Sequence, residues 1–176
     1  QCNYGSQTCD TWLTVWNQFG LEGENNDGFE EWGTVARPTV AGNKWHDEDA
    51  DGVWDEGELG LEGWEIQAFA DTDGDGILSA AEYAAGYVAT MTTDAYGGYA
   101  FAFDEPGDYI FCEVLQTDWL QSFPANDICA AGSPELGDGG WAASIGFGDH
   151  LADYDFGNYN RGCLEVTKTV DWAGIT

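Results

Sequence analysis

Positive charge is what this sequence has least of. Only Arg37, Lys44, Arg161 and Lys168 stand against 33 acidic residues, which leaves a formal net charge of -29. Nucleic acids and anionic membrane surfaces are held through clusters of Lys and Arg, so both are excluded as partners. Long apolar runs are also missing: nothing approaches the roughly 18 consecutive residues that cross a bilayer, and no charged-then-apolar leader opens the chain. Membrane insertion is therefore not expected, and the opening Gln1-Cys2 reads as the start of a chain processed after secretion. The five cysteines lack the Cys-x-x-Cys spacing of zinc and redox motifs. Only His46 and His150 offer titration near neutral pH. Acidic pairs can serve glycoside hydrolysis, but here they stand at metal-ligand spacing, with no nucleophile and base in a recognisable arrangement. The chain is not expected to be an enzyme.

What is abundant is aromatic. Nine Trp, eight Tyr and nine Phe are far more than a disordered acidic tail carries, so a core is expected. At 176 residues one main domain with an extra arm fits. Self-repulsion among the acids disfavours a compact state unless cations offset it.

Residues 1–41 show no clean period and read as an N-terminal arm with one or two strands. From Gly42 the texture becomes that of antiparallel β structure, short alternating runs between turn residues. Trp64–Phe69 alternates apolar and polar, and Tyr99–Phe103 places aromatics on one side. Asp94–Gly98 supplies the glycines of a tight hairpin connection. Pro106–Asp108 turns the chain into Tyr109–Val114, which is expected to pair with the Tyr99–Phe103 strand. Residues 125–150, rich in Gly, Ala and Asp, read as a long loop. Order returns at Tyr154–Phe156, and Cys163–Val170 makes a strand of β-branched and apolar residues. Ser79–Tyr87 is the one helical stretch expected.

The strongest chemical signal begins at Asp47. Asp47, Asp49, Asp51, Gly52, Asp55 and Glu58 occupy positions 1, 3, 5, 6, 9 and 12 of the EF-hand calcium loop, with the Val53 carbonyl at position 7. Calcium takes six to eight oxygens; alternate carboxylates on a curling loop converge, Gly allows the sharp bend, and the last Glu closes the shell with both oxygens. The pattern recurs with Asp71, Asp73, Asp75, Gly76, Ile77, Ser79 and Glu82. Trp54 and Leu78, each at position 8, would anchor the loops to a core. Because strands precede both loops, calcium (Ca2+) is expected to brace the structure and not to switch it. The competing reading is a pair of Asp-Gly turns on an acidic surface.

Disulfides are the better reading of the cysteines, with Cys2–Cys9 and Cys112–Cys129 as the local pairs; sequence does not choose among the possible connectivities. Cys163 is left over.

Gly42-Asn43-Lys44-Trp45-His46-Asp47, Asp51–Glu58, Gly60–Ile66, Thr93–Phe101 and Pro106–Tyr109 resemble the B-type repeats of bacterial surface adhesins, the SdrD-B and Cna-B group, over about residues 42–170. The resemblance implies an Ig-like, prealbumin-like antiparallel β-sandwich over 42–162. The segment 163–176 is then the end of the sandwich, the start of a next module, or a strand donated to a neighbour. The second loop, residues 125–150 and the arm have no clear counterpart in the family. Some members cross-link Lys to Asn inside the sandwich, assisted by an acidic residue. Lys44 and Lys168 are the only lysines here and Asn158 lies on a candidate late strand, but spacing does not distinguish this chemistry from ordinary surface lysines.

These readings converge on a calcium-stabilised structural module of a secreted cell-surface protein, a filament subunit or adhesin that self-associates through terminal strands. A carbohydrate-binding or spacer module is the alternative, with a glycan or host-surface ligand, if Trp12, Trp16, Trp32, Trp119 or Trp141 share an exposed face.

Overall fold

The computed structural model describes residues 36–160, and the compact unit that holds them begins at Ala36. The strands are β1 (Thr39–His46), β2 (Glu65–Ala70), β3 (Ala89–Thr92), β4 (Gly98–Ala102), β5 (Gly107–Val114), β6 (Trp119–Phe123), β7 (Leu136–Ile145), β8 (His150–Leu151) and β9 (Phe156–Asn160). The helix α1 spans Ala80–Ala85. β1 begins at Thr39, so residue 42 falls inside a strand. Most of the expected arm, the Cys163–Val170 segment, and Cys2, Cys9 and Cys163 lie outside the described residues.

Two sheets face each other. One runs β4-β1-β9-β6, with β8 also beside β1; the other runs β3-β2-β5-β7. Alternation decides what lies between them, because successive side chains of a strand point to opposite faces. On β1 the buried positions include Val40, Gly42 and Lys44, while Thr39, Ala41 and Asn43 are only partly covered. The sandwich core is Val40, Ile66, Ala68, Tyr99, Phe101, Phe103, Phe111, Ile145 and Phe156. Each large side chain buried here contributes about 1.5–3 kcal/mol.

β5 is buried on both faces. Phe111 joins the sandwich core, whereas Ile110 and Cys112 look outward into a second cluster with Phe69, Leu78, Cys129 and Leu136. The all-β sandwich expected from sequence is thus thickened on one side. The second acidic loop and the segment carrying Cys129 roof the outer face of the β2-β5 sheet, and a Cys112–Cys129 disulfide fastens that roof.

Three expectations are corrected. β4 and β5 do not pair: β4 pairs with β1 and β5 with β2 and β7. Their aromatics meet across the sandwich, Phe101 at 5.4 Å from Phe111 and Phe103 at 4.3 Å from Tyr109 between ring centroids, so the chain arches from sheet to sheet. The Asp94–Gly98 turn is tight, with the Asp94 amide donating to Gly98 O at 2.9 Å and Gly97 at φ 82. It joins β3 to β4 in the opposite sheet and is not a hairpin connection.

Residues 125–150 are not one long loop, for they contain β7, the longest strand described. Its small residues are there for close approach. A Cβ on Gly139 would collide with Pro124 O, and one on Gly140 with Cys129 Sγ and Phe111 O. The expected helix is present but shorter, with Ser79 capping it: the Ser79 side chain accepts from the Glu82 amide, and the Glu82 side chain accepts from the Ser79 amide.

Candidate functional site

Lys44, Glu113 and Asn158 come together with none of the three exposed to solvent. Each arrives on an inward-facing position. Lys44 follows Val40 and Gly42 in the alternation of β1, and Glu113 follows Phe111 on β5. Asn158 stands on β9, which runs parallel to β1 with Lys44 opposite Phe156 and His46 opposite Asn158. The Lys44 Nζ donates to Asn158 Oδ1 at 2.6 Å and to Phe156 O at 3.2 Å. A Glu113 carboxylate oxygen lies 3.4 Å from the same nitrogen. The Trp64 ring covers the amine at 4.4 Å to its centroid.

Burial of this kind is costly for charge and changes the protonation of the groups. Desolvation pulls the Lys44 ammonium down to about 8, against the opposing attraction of Glu113 and, more weakly, Asp47. Desolvation likewise pushes the Glu113 carboxyl up to about 7, with Lys44 acting against it. Both groups are driven toward their neutral forms. Neither Glu113 oxygen nor the Asn158 Nδ2 has a hydrogen-bond partner of good geometry. Buried polar atoms are rarely left so, and here the unpaired atoms are an amide nitrogen and the carboxyl beside it. Because a C=O bond is about 1.23 Å long, the Asn158 carbonyl carbon is no more than about 3.8 Å from the amine. That is close to the 3–3.5 Å of a near-attack arrangement.

Sequence reasoning named Lys44 and Asn158 but not Glu113. One glutamate among 33 acids does not stand out; the available signal was its place two residues after Phe111 in an otherwise apolar strand, Tyr109–Val114.

The two acidic loops begin where strands end, at Asp47 after β1 and Asp71 after β2. They share a hydrogen-bond plan position by position. The first carboxylate accepts from the amide of the sixth residue, Asp47 from Gly52 at 2.8 Å and Asp71 from Gly76 at 2.9 Å. The fifth accepts from the seventh, Asp51 from Val53 and Asp75 from Ile77, both at 2.8 Å. The twelfth spans the loop with both oxygens: Glu58 accepts from Glu48 and Asp55, and Glu82 from Thr72 and Ser79. Residues four and six have positive φ in both loops, Ala50 and Gly52, Gly74 and Gly76.

Asp47, Asp49 and Glu58, then Asp49, Asp51 and Asp55, and in the second loop Asp71, Asp73 and Glu82, offer oxygens within 4.8 Å of one another. Asp75 stands outside that cluster, its carboxylate accepting from the Ile77 amide, while the Ser79 Oγ lies 2.9 Å from Glu82 Oε2. The donor set is all oxygen, which suits a hard divalent cation. Partial desolvation and the Asp51 carboxylate push Asp49 up. Donation to Glu82 from the Ser79 and Thr72 amides holds that carboxyl at about 2. The loops differ in anchoring. Leu78 is fully buried in the second cluster, while Trp54 is 41% exposed and stacks on Trp45.

The remaining candidates are placed as follows. Trp119 packs edge-on to His46 and Trp64, and Trp141 against Phe123 and Tyr154 with its Nε1 donating to Asp155 O. His150 bonds Thr39 Oγ1 at 2.8 Å. No helix among the described residues is long and apolar enough to cross a membrane.

No protein-family model matches the sequence, and no curated protein matches it. Solved structures do. The shaft pilin SpaA from Lactobacillus rhamnosus GG is similar at TM-score 0.45 and 12% identity, over 72% of this chain and 52% of that one. GBS52, the minor pilin of Streptococcus agalactiae, is similar at TM-score 0.43 and 13% identity, over 77% and 49%. A candidate carbohydrate binding protein from Pseudomonas aeruginosa is similar at TM-score 0.41 and 16% identity, over 70% and 89%. The chain spans about half the length of these two pilin chains.

Proposed function

We propose that this chain is a self-cross-linking, calcium-braced structural module of a secreted cell-surface filament or adhesin. The observation that carries the reading is the buried Lys44–Glu113–Asn158 constellation. A lysine sealed in a β-sandwich beside an amide carbon, with a carboxyl raised toward neutrality, is poorly explained as a stabilising ion pair, since taking both charges out of water costs several kcal/mol per ion. It is well explained as a reaction centre.

The chemistry is an amide exchange. The lone pair of the neutral Lys44 amine attacks the Asn158 carbonyl carbon and forms the new C–N bond. Glu113, entering as the carboxylic acid, polarises the carbonyl region and gives a proton to the departing Nδ2, then takes one from the Lys44 nitrogen and is regenerated. The bond from the carbon to Nδ2 breaks and ammonia leaves. The product is a Lys–Asn isopeptide between β1 and β9, about 17 Da lighter than the starting chain. Chemistry of this kind happens once per molecule and leaves a structural bond, in keeping with a module that bears load.

Calcium, when bound at Asp47, Asp49, Asp51, Asp55 and Glu58 and at Asp71, Asp73 and Glu82, would supply positive charge against the acidic surface. Asp75, Ser79 and the carbonyls of Val53 and Ile77 complete the proposed sets. The disulfide is at home in an oxidising, extracellular compartment. For assembly we propose that Cys163–Val170, β-branched and apolar in sequence, adds as a strand to a neighbouring copy.

Sedimentation of the mature protein in calcium and in chelator tests the assembly. Polymers that shorten on chelation support a braced filament subunit; a compact monomer in both buffers refutes polymer formation and leaves a spacer. The isopeptide is tested separately, by mass together with tryptic cleavage after Lys44.

A further inference from the structure

Gln121 stands directly opposite Asn158 in the β6–β9 ladder, on the strand that forms one edge of its sheet. Across the open side of the sandwich lies β7, the edge of the other sheet. The Gln121 side chain ties the two together. Its Oε1 accepts from the Gly139 amide at 2.7 Å and its Nε2 donates to Gly139 O at 3.1 Å, so one side-chain amide pairs with a backbone as a strand would. On its outer side Gln121 lines a groove of about 520 Å³ with Leu120, Leu136, Asp138 and Tyr159. On its inner side Gln121 Oε1 and Glu113 Oε1 both lie within 3.0 Å of the point where a Cβ on Gly137 would stand. Glycine at 137 therefore leaves room for the two to approach, and Gln121 is the residue between the groove and the reactive carboxyl.

We propose that Gln121 is the seal of the cross-linking chamber, a positioning residue that latches β6 to β7 and keeps water from Lys44, Glu113 and Asn158 until the bond has formed. The inference rests on the isopeptide reading. Its physical basis is that both reacting groups need a dry site to be neutral: water admitted beside Glu113 restores the charged forms of acid and amine and slows the attack. The other titratable groups near the pair are Asp47 at the end of β1, whose charge favours the ammonium, and Tyr99 on β4, raised well above its usual value by burial and neighbouring Asp155 and Glu113.

The test uses the full chain, purified unfolded before it has reacted, refolded across a pH series and quenched in acid at intervals, with the cross-linked fraction read as the share of chains that resist tryptic cleavage after Lys44. Gln121→Met keeps length but loses both hydrogen bonds; Gln121→Glu keeps the acceptor for Gly139 N–H and serves if the Met variant does not fold. Ligation in either is expected to slow about tenfold at pH 7, with the alkaline rise of the rate moved to higher pH. A merely looser fold slows the reaction at every pH without moving that rise, and this outcome overturns the proposal. So does a variant that matches wild type in rate and profile. If the wild-type chain itself never cross-links, the isopeptide reading fails and takes the seal with it.

Discussion

Glu113→Gln is the perturbation that isolates the chemistry from the packing. The substitution keeps the volume of a fully buried side chain but removes the group that moves the proton, so the fold is retained and the bond is not made. Lys44 and Asn158 are 114 residues apart in sequence. In the chain-entropy account of cross-links, closing a loop of that size removes about 4.7 kcal/mol of freedom from the unfolded state. The variant should therefore be less stable by about 5 kcal/mol, roughly 10–20 °C in melting temperature for a chain of this length. Intact mass after reduction gives one readout, with wild type about 17 Da below the sequence mass and the variant at it. Mass alone is insufficient, because succinimide formation at any asparagine also sheds ammonia. Trypsin resolves the two. Arg37 is followed by Pro38, so the basic residues that remain to be cut are Lys44, Arg161 and Lys168. A denatured wild-type chain resists cleavage after Lys44 and the variant is cut there. Cleavage after Lys44 in folded-then-denatured wild type refutes the ligation.

Asn158→Ala leaves Lys44 a free amine. Its ammonium is held at about 8 against an ordinary 10.5, so between those values the unfolded chain binds more protons and stability rises with pH, by about 3 kcal/mol in all. Cross-linked wild type lacks that rise, because its lysine nitrogen has become an amide; urea unfolding at pH 7.5 and 10.5 compares them. Glu113, raised to about 7 from 4.5, binds its proton more tightly when folded and gives both proteins a loss of stability as pH climbs through that window. Glu58→Gln combined with Glu82→Gln should lower calcium affinity and melting temperature together, by calorimetry; an unchanged melt in calcium rules out bracing by the metal.

The sandwich was legible because its signals are local. Alternation in Trp64–Phe69 and Tyr109–Val114 marks strands whatever their partners are, and the loops at Asp47 and Asp71 fall on a fixed spacing. Partnership is not local. The turn at Asp94–Gly98 has the glycines of a hairpin, yet whether two strands lie side by side or face to face depends on where Phe101 and Phe103 find their neighbours. The glycines of β7 misled for a related reason, since Gly137, Gly139 and Gly140 serve approach by Gln121, Pro124 and Cys129, residues that sequence does not place beside them. Lys44 was visible as one of two lysines. That it faces inward follows from Val40 and Gly42 before it, and that it meets Glu113 follows only from the stacking of the sheets.

The position of the proposed bond decides what it does under tension. β1 and β9 are the first and last described strands and run parallel, so pulling the chain from both ends draws them in opposite directions along their shared ladder. Without a covalent link the ladder shears and the residues between unravel. With the link, load passes from Lys44 to Asn158 directly and the 114-residue separation is removed from the extensible path. The Cys112–Cys129 disulfide already withholds 17 of those residues, so at about 3.3 Å per residue the protected length is roughly 320 Å. Single-molecule pulling of Glu113→Gln should show an unfolding step near that size, and wild type should show none from this region. A full-length step in wild type means that no bond joins the strands, and the calcium loops would then be left as the only proposed brace against force.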